Sequence, residues 1–280
     1  MSSRECKQGK KGPGKILRNG PSYLLFTLLI AAAVASAGGA GAAKLTLRQV
    51  SEVLVKAAPG HPPDFSHDDL SFLDLSDLDF KQAKFIGANL YGANLSRDNL
   101  SEADLSEANL DHAVITRTNF AGANLTNASL YDTAAYSMLE PSPSEAPNFA
   151  GANLSGAHVV ARLTGVDMHG ANLAHVQMGI RRDQLKTPLW TDLSGCNLAN
   201  ANLTHADLHG MRLAFADLTN ADLAGANLAL SDLTHANLTG ANLAGADLTG
   251  ADLDGTVMRV EGLNEVKGLE HARNRDRAVR

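Results

Sequence analysis

The sequence predicts an all-β solenoid, in which short repeats wind the chain into stacked coils. A large apolar residue stands at every fifth position in two long runs, from Phe65 to Leu130 and from Leu193 to Met258. The position two residues earlier is usually Ala, and Asn or Asp usually lies between the two, as in Ala-Asp-Leu-Ala-Gly at 221–225. Aromatic residues make up only 5% of the chain, which favours a repeat over a mixed core.

A five-residue period suits neither an α-helix nor a straight strand. Successive leucines would rotate by about 500° along a helix and would form no apolar stripe. Along a flat strand, an odd spacing sends alternate leucines to opposite faces, so the chain must turn once per repeat. Gly, Asn, Asp and Thr at the intervening positions favour such turns. We therefore expect the central residues to form an inward ladder that includes Leu90, Leu110, Leu130, Leu203, Leu223 and Leu243.

The spacing of aspartates indicates how many repeats form one coil. Stacked coils lie about 4.8 Å apart, so carboxylates directly above one another repel. Among the Asp residues that precede a central Leu, a coil of four repeats aligns one pair, whereas coils of three or five repeats each align four. Four repeats per coil, with a square cross-section, are therefore favoured.

The repeat unit resembles that of the pentapeptide-repeat family. Residues 123–125, 152–154 and 201–203 each read Ala-Asn-Leu, and the resemblance extends over residues 64–258. It implies a right-handed quadrilateral β-helix with about four repeats per coil. The motif is specific for the fold and says little about function, because the family includes structural modules as well as DNA mimics that bind DNA gyrase.

The first 37 residues have the features of a signal peptide. Six basic residues precede an apolar run from Tyr23 to Ala37, and Ala-Ser-Ala at 35–37 fits a signal-peptidase site. The run is short for a membrane span of about 20 residues, although an uncleaved membrane anchor remains an alternative. We expect export to the periplasm or the cell exterior.

Cysteine content indicates whether a disulfide can form, and net charge indicates which class of partner the chain can bind. Cys6 lies in the predicted signal peptide, so Cys196 is the one thiol of the remaining chain and no internal disulfide is expected. Residues 64–258 carry nine Lys or Arg and 24 Asp or Glu, a net charge of −15. This charge argues against direct binding of nucleic acid or an anionic membrane and favours a basic partner.

Helical caps are expected at both ends of the repeats, because an open β-helix exposes unpaired backbone groups. Thr46 can N-cap a helix that ends at Ala57, and Leu263, Val266 and Leu269 have helical spacing. The predicted organisation is a signal peptide, an N-terminal linker and cap, a β-helix, and a C-terminal cap with a charged tail, over residues 1–37, 38–63, 64–258 and 259–280.

The repeats are interrupted near residues 131–147 and 179–190. The first interruption contains three prolines and is expected to be a loop, after which the repeat resumes with one residue missing. A second one-residue slip lies within residues 159–163 and predicts a bend or a local bulge.

Two further expectations depend on a coil of four repeats. Leu173 and Leu193 are separated by four repeat lengths, so we expect residues 179–190 to bulge from a single coil, with a short helix around residues 182–185. A histidine series spaced by six repeat lengths, or one and a half coils, should alternate between opposite faces and be unable to share one ion. Its members are His175, His205 and His235.

Three aromatic residues in or beside the interruptions are candidate interaction residues: Tyr131, Tyr136 and Trp190. Exposed loop aromatics anchor interfaces, and the alternative is simple packing of the loop. Asp98 and Cys196 occupy inward positions usually held by Ala. We expect a hydrogen-bonded carboxyl or a distorted turn at Asp98, with a functional acid as the alternative, and packing rather than reactivity at Cys196.

The sequence contains no Ser/His/Asp constellation, paired metal motif or phosphate-binding glycine loop, so we predict no catalytic residue, cofactor or metal. The expected function is that of an exported, non-enzymatic scaffold for protein–protein interaction, with an unidentified protein partner and self-association left open. No membrane contact of the mature domain is expected unless the N-terminal segment is retained. The alternatives are a gyrase-binding DNA mimic, which export disfavours, and a surface metal binder or enzyme.

Overall fold

Single parallel bridges stack the chain into a four-sided coil. The computed structural model describes residues 44–58, 60–137, 141–178, 191–260 and 263–279. All of them belong to one compact unit, Ala42–Arg280, whereas residues 1–37 and 179–190 lie outside the described residues. Residues four repeat lengths apart pair in register, and the first four such pairs are Asp64–Lys84, Asp69–Asn89, Asp74–Asn94 and Asp79–Asn99. Four successive bridges thus complete one circuit, as the spacing of aspartates predicted.

Each repeat is a short extended stretch followed by a tight turn. The backbone N–H of Leu70 donates to the carbonyl oxygen of Asn89 in the next coil at 2.9 Å. Across a turn, the N–H of Ala83 donates to the carbonyl of Phe80, also at 2.9 Å. The second residue after a central residue has positive φ, for example +66° at Gly225. Gly recurs at this position because it adopts that conformation without steric cost.

The core is a stack of central residues and of the small residues two before them. All six ladder leucines named above are at most 1% exposed. Phenylalanines stack in the same way, with ring centroids 5.1 Å apart for Phe65 and Phe85 and 4.8 Å apart for Phe120 and Phe149. Burial of one such side chain contributes about 1.5 to 3 kcal/mol, so stability is distributed over many coils.

The regular elements are few, because most bridges are one residue wide. Helix α1 spans Leu47–Lys56 and has Thr46 as its N-cap, in a capping box with Gln49. Strands β1, Ser129–Thr133, and β2, His158–Ala161, pair in parallel. Short 3-10 helices span Pro143–Glu145, Leu263–Glu265, Leu269–His271 and Arg275–Arg277.

The first interruption is shorter than the sequence suggested. Residues 131–136 were expected in the loop, but Tyr131 lies in β1 and Tyr136 is buried in the core. The chain leaves the coil at Ser137 and pairs again at Asn148, which stacks on Asn119 after a longer circuit than usual. Ser137 closes the loop by donating to the Glu145 carboxylate from its N–H at 3.0 Å and from its hydroxyl at 2.6 Å.

The second phase slip is accommodated by a bulge, but the extra residue lies on the partner strand β1 and not within residues 159–163 as predicted. Asn148 pairs with Asp167, so this circuit is one residue shorter than a regular one. In the strand pair below, Tyr131 pairs with Val160, whereas Thr133 pairs with Ala161, so Asp132 is the extra residue. One unpaired residue on β1 thus compensates for the residue that β2 lacks.

The second interruption adds residues to a coil that is already complete. Arg162 pairs with Asp192, and three further bridges in this coil also join residues six repeat lengths apart. The expectation that Leu173 and Leu193 delimit one coil is therefore wrong, since Leu193 stands over Leu163. An insertion equal to two repeat lengths preserves the five-residue phase without adding a side, which is why the sequence phase did not reveal it.

The C-terminal segment continues the coil in separate turns. Leu263, Val266 and Leu269 have helical spacing, but the backbone is left-handed at Gly268 and Asn274, which separates the 3-10 helices. Bridges join this segment to the last regular coil: Asp247–Lys267, Asp252–Arg273 and Val257–Val279.

Candidate functional site

Many of the outward side chains form polar ladders. The Oδ1 of Asp69 accepts from the backbone N–H of Ser71 at 2.9 Å and from the Nδ2 of Asn89, one coil later, at 3.1 Å. The Oδ1 of Asn89 in turn accepts from the N–H of Tyr91 at 3.2 Å. Where Asn or Asp precedes a central residue, its side chain therefore closes the turn and links neighbouring coils.

Like charges are kept apart along these ladders. Among the bridges of the described residues, Asp faces Asp only once, at Asp232 and Asp252. Arginines lie on both sides of that pair: Arg212 stacks beneath Asp232, and the guanidinium of Arg273 lies 3.6 Å from the Asp252 carboxylate. The acidic surface thus avoids the repulsion that stacked carboxylates would cause.

Asp98 is a buried carboxyl in the core wall. It is 1% exposed, and its Oδ1 accepts from the backbone N–H of Leu78 at 2.9 Å. Its Oδ2 has no hydrogen-bond partner among the described residues. Burial raises the pKa of Asp98 to about 8, and the Leu78 N–H only partly offsets this effect. Asp98 is therefore neutral in the folded protein at pH 7.

Other polar residues in the same inward column donate to backbone carbonyls. The hydroxyl of Thr118 donates to Leu95 at 2.7 Å, and that of Thr256 donates to Leu233 at the same distance. The Cys196 thiol donates to the carbonyl of Leu163 at 2.8 Å, and burial raises its pKa to about 12. A buried neutral thiol reacts slowly, so the geometry agrees with packing rather than reactivity at Cys196.

The three candidate aromatics have different positions. Tyr136 is buried, its hydroxyl donates to the carbonyl of Thr164, and burial raises its pKa to about 12. An exposed interaction role is therefore wrong for Tyr136, because the chain leaves the coil only after this residue. Tyr131 is half-buried on the outer surface, and Trp190 lies outside the described residues.

Tyr131 belongs to a column of rings that sequence reasoning missed. Phe72, Tyr91, His112 and Tyr131 stand on successive coils at one corner, which we call the aromatic corner. Neighbouring ring centroids are 5.3, 5.0 and 5.9 Å apart, and each pair packs edge to face. His158 stacks on Tyr131 at 6.1 Å. The rings alternate between the first and second residue after the central Leu, so no single repeat position reveals the column.

The arrangement of the histidine series differs in part from the expected one, because of the second interruption. His175 and His205 were expected on opposite faces, but their rings stack with centroids 5.2 Å apart. The segment between them makes one coil rather than one and a half, because it contains the inserted residues. His235 lies on a different corner and stacks on Phe215 at 5.0 Å.

Neither a metal cluster nor a membrane span is found in the part of the chain that the structure describes. No three His, Cys, Asp or Glu side chains there converge in a way that would hold an ion. No helix in the same part is long and apolar enough to cross a bilayer.

Comparison with known proteins identifies the repeat. The model of the pentapeptide-repeat family matches in eight copies, over residues 64–97, 99–133, 190–219 and 216–255. No curated protein sequence matches the chain.

Solved structures of three pentapeptide-repeat proteins are similar to the chain. HetL from the cyanobacterium Nostoc sp. strain PCC 7120, which is involved in heterocyst differentiation regulation, is 23% identical over 84% of this chain and 100% of its own, with a TM-score of 0.41. QnrB1, a plasmid-mediated fluoroquinolone resistance protein, is 18% identical over 68% of this chain and 90% of its own, with a TM-score of 0.42. A protein from the Arabidopsis thaliana thylakoid lumen is 25% identical over 43% and 66%, with a TM-score of 0.20.

The family match agrees with the geometry of the coil. Members of the family fold as right-handed quadrilateral β-helices, and the bridges here define a four-sided coil in which most paired residues are 20 positions apart. The chain belongs to the pentapeptide-repeat family, and its fold is a right-handed quadrilateral β-helix.

Proposed function

We propose that the chain is an exported, non-enzymatic scaffold that binds another protein through its outer faces. One observation carries this proposal: the coil buries apolar and small side chains and presents polar ones outward, at a spacing that backbone bridges fix. A partner therefore meets rows of side chains whose relative positions are already set. Such preorganisation reduces the ordering cost of binding.

The charge of the surface supports a basic protein partner. Residues 64–258 carry a net charge of −15, and their carboxylates lie mainly on the outward ladders. A field of one sign attracts a partner of the other sign and accelerates its association.

The proposal also includes export of the chain and covered ends of the solenoid. Residues 1–37 combine a basic segment, an apolar run and a small-residue cleavage motif, which favours transfer across a membrane. We infer that α1, which buries Val50, covers one end of the solenoid and that residues 263–279 cover the other. Covered ends would limit strand-to-strand association with other molecules.

A gyrase-directed DNA mimic is the second candidate. Its support is the acidic surface together with the family resemblance. Export separates the protein from gyrase, so this candidate requires a chain that stays in the cytoplasm with residues 1–37 intact. Inhibition of gyrase supercoiling by the purified protein, at a stoichiometric concentration, would favour it.

Cell fractionation with N-terminal sequencing, followed by crosslinking in intact cells, tests the scaffold proposal. We expect a processed chain outside the cytoplasm and capture of a specific protein. A variant in which a short Gly-Ser linker replaces residues 137–146 tests the loop as the contact and leaves Tyr136 in the core. Unchanged capture would exclude the loop, and the absence of any specific protein from the crosslinked samples would contradict the scaffold.

A further inference from the structure

The aromatic corner is an ordered, partly exposed surface. Tyr91, His112 and Tyr131 are half-buried, and Phe72 is 37% exposed. Phe72 lies against Gly92, where an added Cβ would come within 2.8 Å of its ring. The glycine thus provides the space in which the first ring of the column lies.

A cation already occupies one end of this column. The Nζ of Lys44 lies 5.4 Å from the centroid of the Phe72 ring, within the range of a cation–π contact. Lys44 is held there because its backbone pairs with Asp69 in an extended conformation. The chain itself thus places a lysine from an extended segment over the Phe72 ring.

Two carboxylates flank the middle of the column. The Asp132 Oδ2 lies 3.1 Å from the Nδ1 of His112, and this contact raises the pKa of that imidazole. The Oδ1 of Asp111 accepts from the Ser129 hydroxyl at 2.5 Å and from the Tyr131 N–H at 2.9 Å. Within the described residues, neither carboxylate pairs with a Lys or Arg. Even with His112 protonated, Asp111 and Asp132 together leave the middle of the column with a net negative charge.

We propose that the aromatic corner binds an extended segment of a partner protein that carries arginine or lysine side chains. The inference rests on the proposed scaffold function and assigns its docking surface. From Phe72 to His158 the column crosses four coil steps, about 19 Å, which corresponds to roughly six residues of extended peptide. Guanidinium or ammonium groups lie on the rings as Lys44 does and also pair with Asp111.

Calorimetric titration of the purified full chain tests this assignment. The probe is a nine-residue Gly-Ser peptide with arginine at alternate positions, compared with the same peptide carrying neutral citrulline. We expect the citrulline peptide to bind at least about tenfold more weakly, because it lacks both the cation–π and the carboxylate interaction. Equal affinities would overturn the proposal.

Matched variants locate the binding. Tyr91→Leu and Phe72→Leu are each expected to weaken the arginine peptide about fivefold, since each removes one ring. Phe215→Leu is the control, because Phe215 is 67% exposed on a different corner and also stacks on a histidine. Asp111→Asn should weaken binding more than Asp222→Asn on another ladder. If Phe215→Leu weakened binding as much as Tyr91→Leu, or Asp222→Asn as much as Asp111→Asn, the attraction would be nonspecific and the assignment would be overturned.

Two further outcomes separate this inference from the scaffold proposal. If cellotetraose binds and Tyr91→Leu abolishes its binding, whereas the arginine peptide does not bind, the corner is a carbohydrate site. If crosslinking captures the same protein with the wild type and with Tyr91→Leu, the docking surface is wrong but the scaffold proposal stands. If nothing is captured at all, the scaffold proposal itself fails.

Discussion

The same five-residue repeat forms the N-terminal coils, residues 64–136, and the C-terminal coils, residues 191–258. The two regions differ in the side chains at equivalent positions. The C-terminal interior is almost entirely Leu and Ala, whereas the N-terminal interior contains stacked phenylalanines and the buried carboxyl of Asp98. Along one corner the N-terminal coils carry rings. In the C-terminal coils the second position after the central Leu of this corner holds Gly210, Leu230 and Gly250. The first position holds His209, Ala229 and Thr249, so His209 is the one ring among these six residues. The repeat thus fixes which way a side chain points, while its chemistry varies between regions.

The largest expected effect is the loss of stability when a charged residue replaces a core leucine, and both regions should show it. Leu223→Asp should lower the free energy of unfolding by more than about 4 kcal/mol, because it buries an unpaired carboxylate. Leu90→Asp should have a similar effect in the N-terminal coils. Thermal unfolding followed by circular dichroism measures both changes.

Asp222→Ala is the matched control for Leu223→Asp. It removes the acceptor of the Ala224 N–H and of the Asn242 side chain, and we expect a loss of about 1 kcal/mol. If Asp222→Ala and Leu223→Asp shifted the melting temperature equally, the inward and outward assignment would be contradicted.

The second prediction concerns the N-terminal coils alone. The folded protein holds a proton on Asp98 up to a pKa of about 8, whereas the unfolded chain releases it near 3.8. The stability that this proton contributes is complete below pH 4 and is lost as pH rises toward 8, with a slope of at most about 1.4 kcal/mol per pH unit.

Denaturant unfolding between pH 4 and 8 measures this slope. Asp98→Asn should remove it, since the amide oxygen still accepts from Leu78 and no proton is released. Asp104→Asn, on an outward ladder, should leave the slope in place. An Asp98→Asn protein whose stability changes with pH as much as the wild type would refute a neutral Asp98.

The smallest expected effect compares two glycines with the same conformation. Gly92 and Gly195 have φ of +64° and +65°, but a Cβ on Gly92 meets the Phe72 ring, whereas a Cβ on Gly195 meets nothing within 4 Å. Gly195→Ala should cost about 1 kcal/mol from backbone strain alone, and Gly92→Ala about 1 kcal/mol more. Equal costs, measured by denaturant unfolding, would indicate that Phe72 does not lie against Gly92.

The phase of the apolar residues was sufficient to predict the period and the one-residue slip, and the spacing of the aspartates was sufficient to predict the four-sided coil. Neither was sufficient to predict the extra length of the coil between Arg162 and Asp192, since an insertion of two repeat lengths leaves a five-residue phase unchanged. The place of Tyr136 was also missed, because prolines mark a loop without fixing where it begins. The aromatic corner emerges only after the coils are stacked in register.

Disulfide formation between histidine positions tests the coil geometry most directly. In a background with Cys6→Ser and Cys196→Ser, the pair His175→Cys and His205→Cys lies on adjacent coils. Their backbones are about 4.8 Å apart along the stack, which is within the Cα–Cα range of a disulfide. The pair His205→Cys and His235→Cys has the same sequence separation but lies on different corners. We expect rapid crosslinking of the first pair and none of the second. Crosslinking of the second pair in preference to the first would contradict the coil geometry.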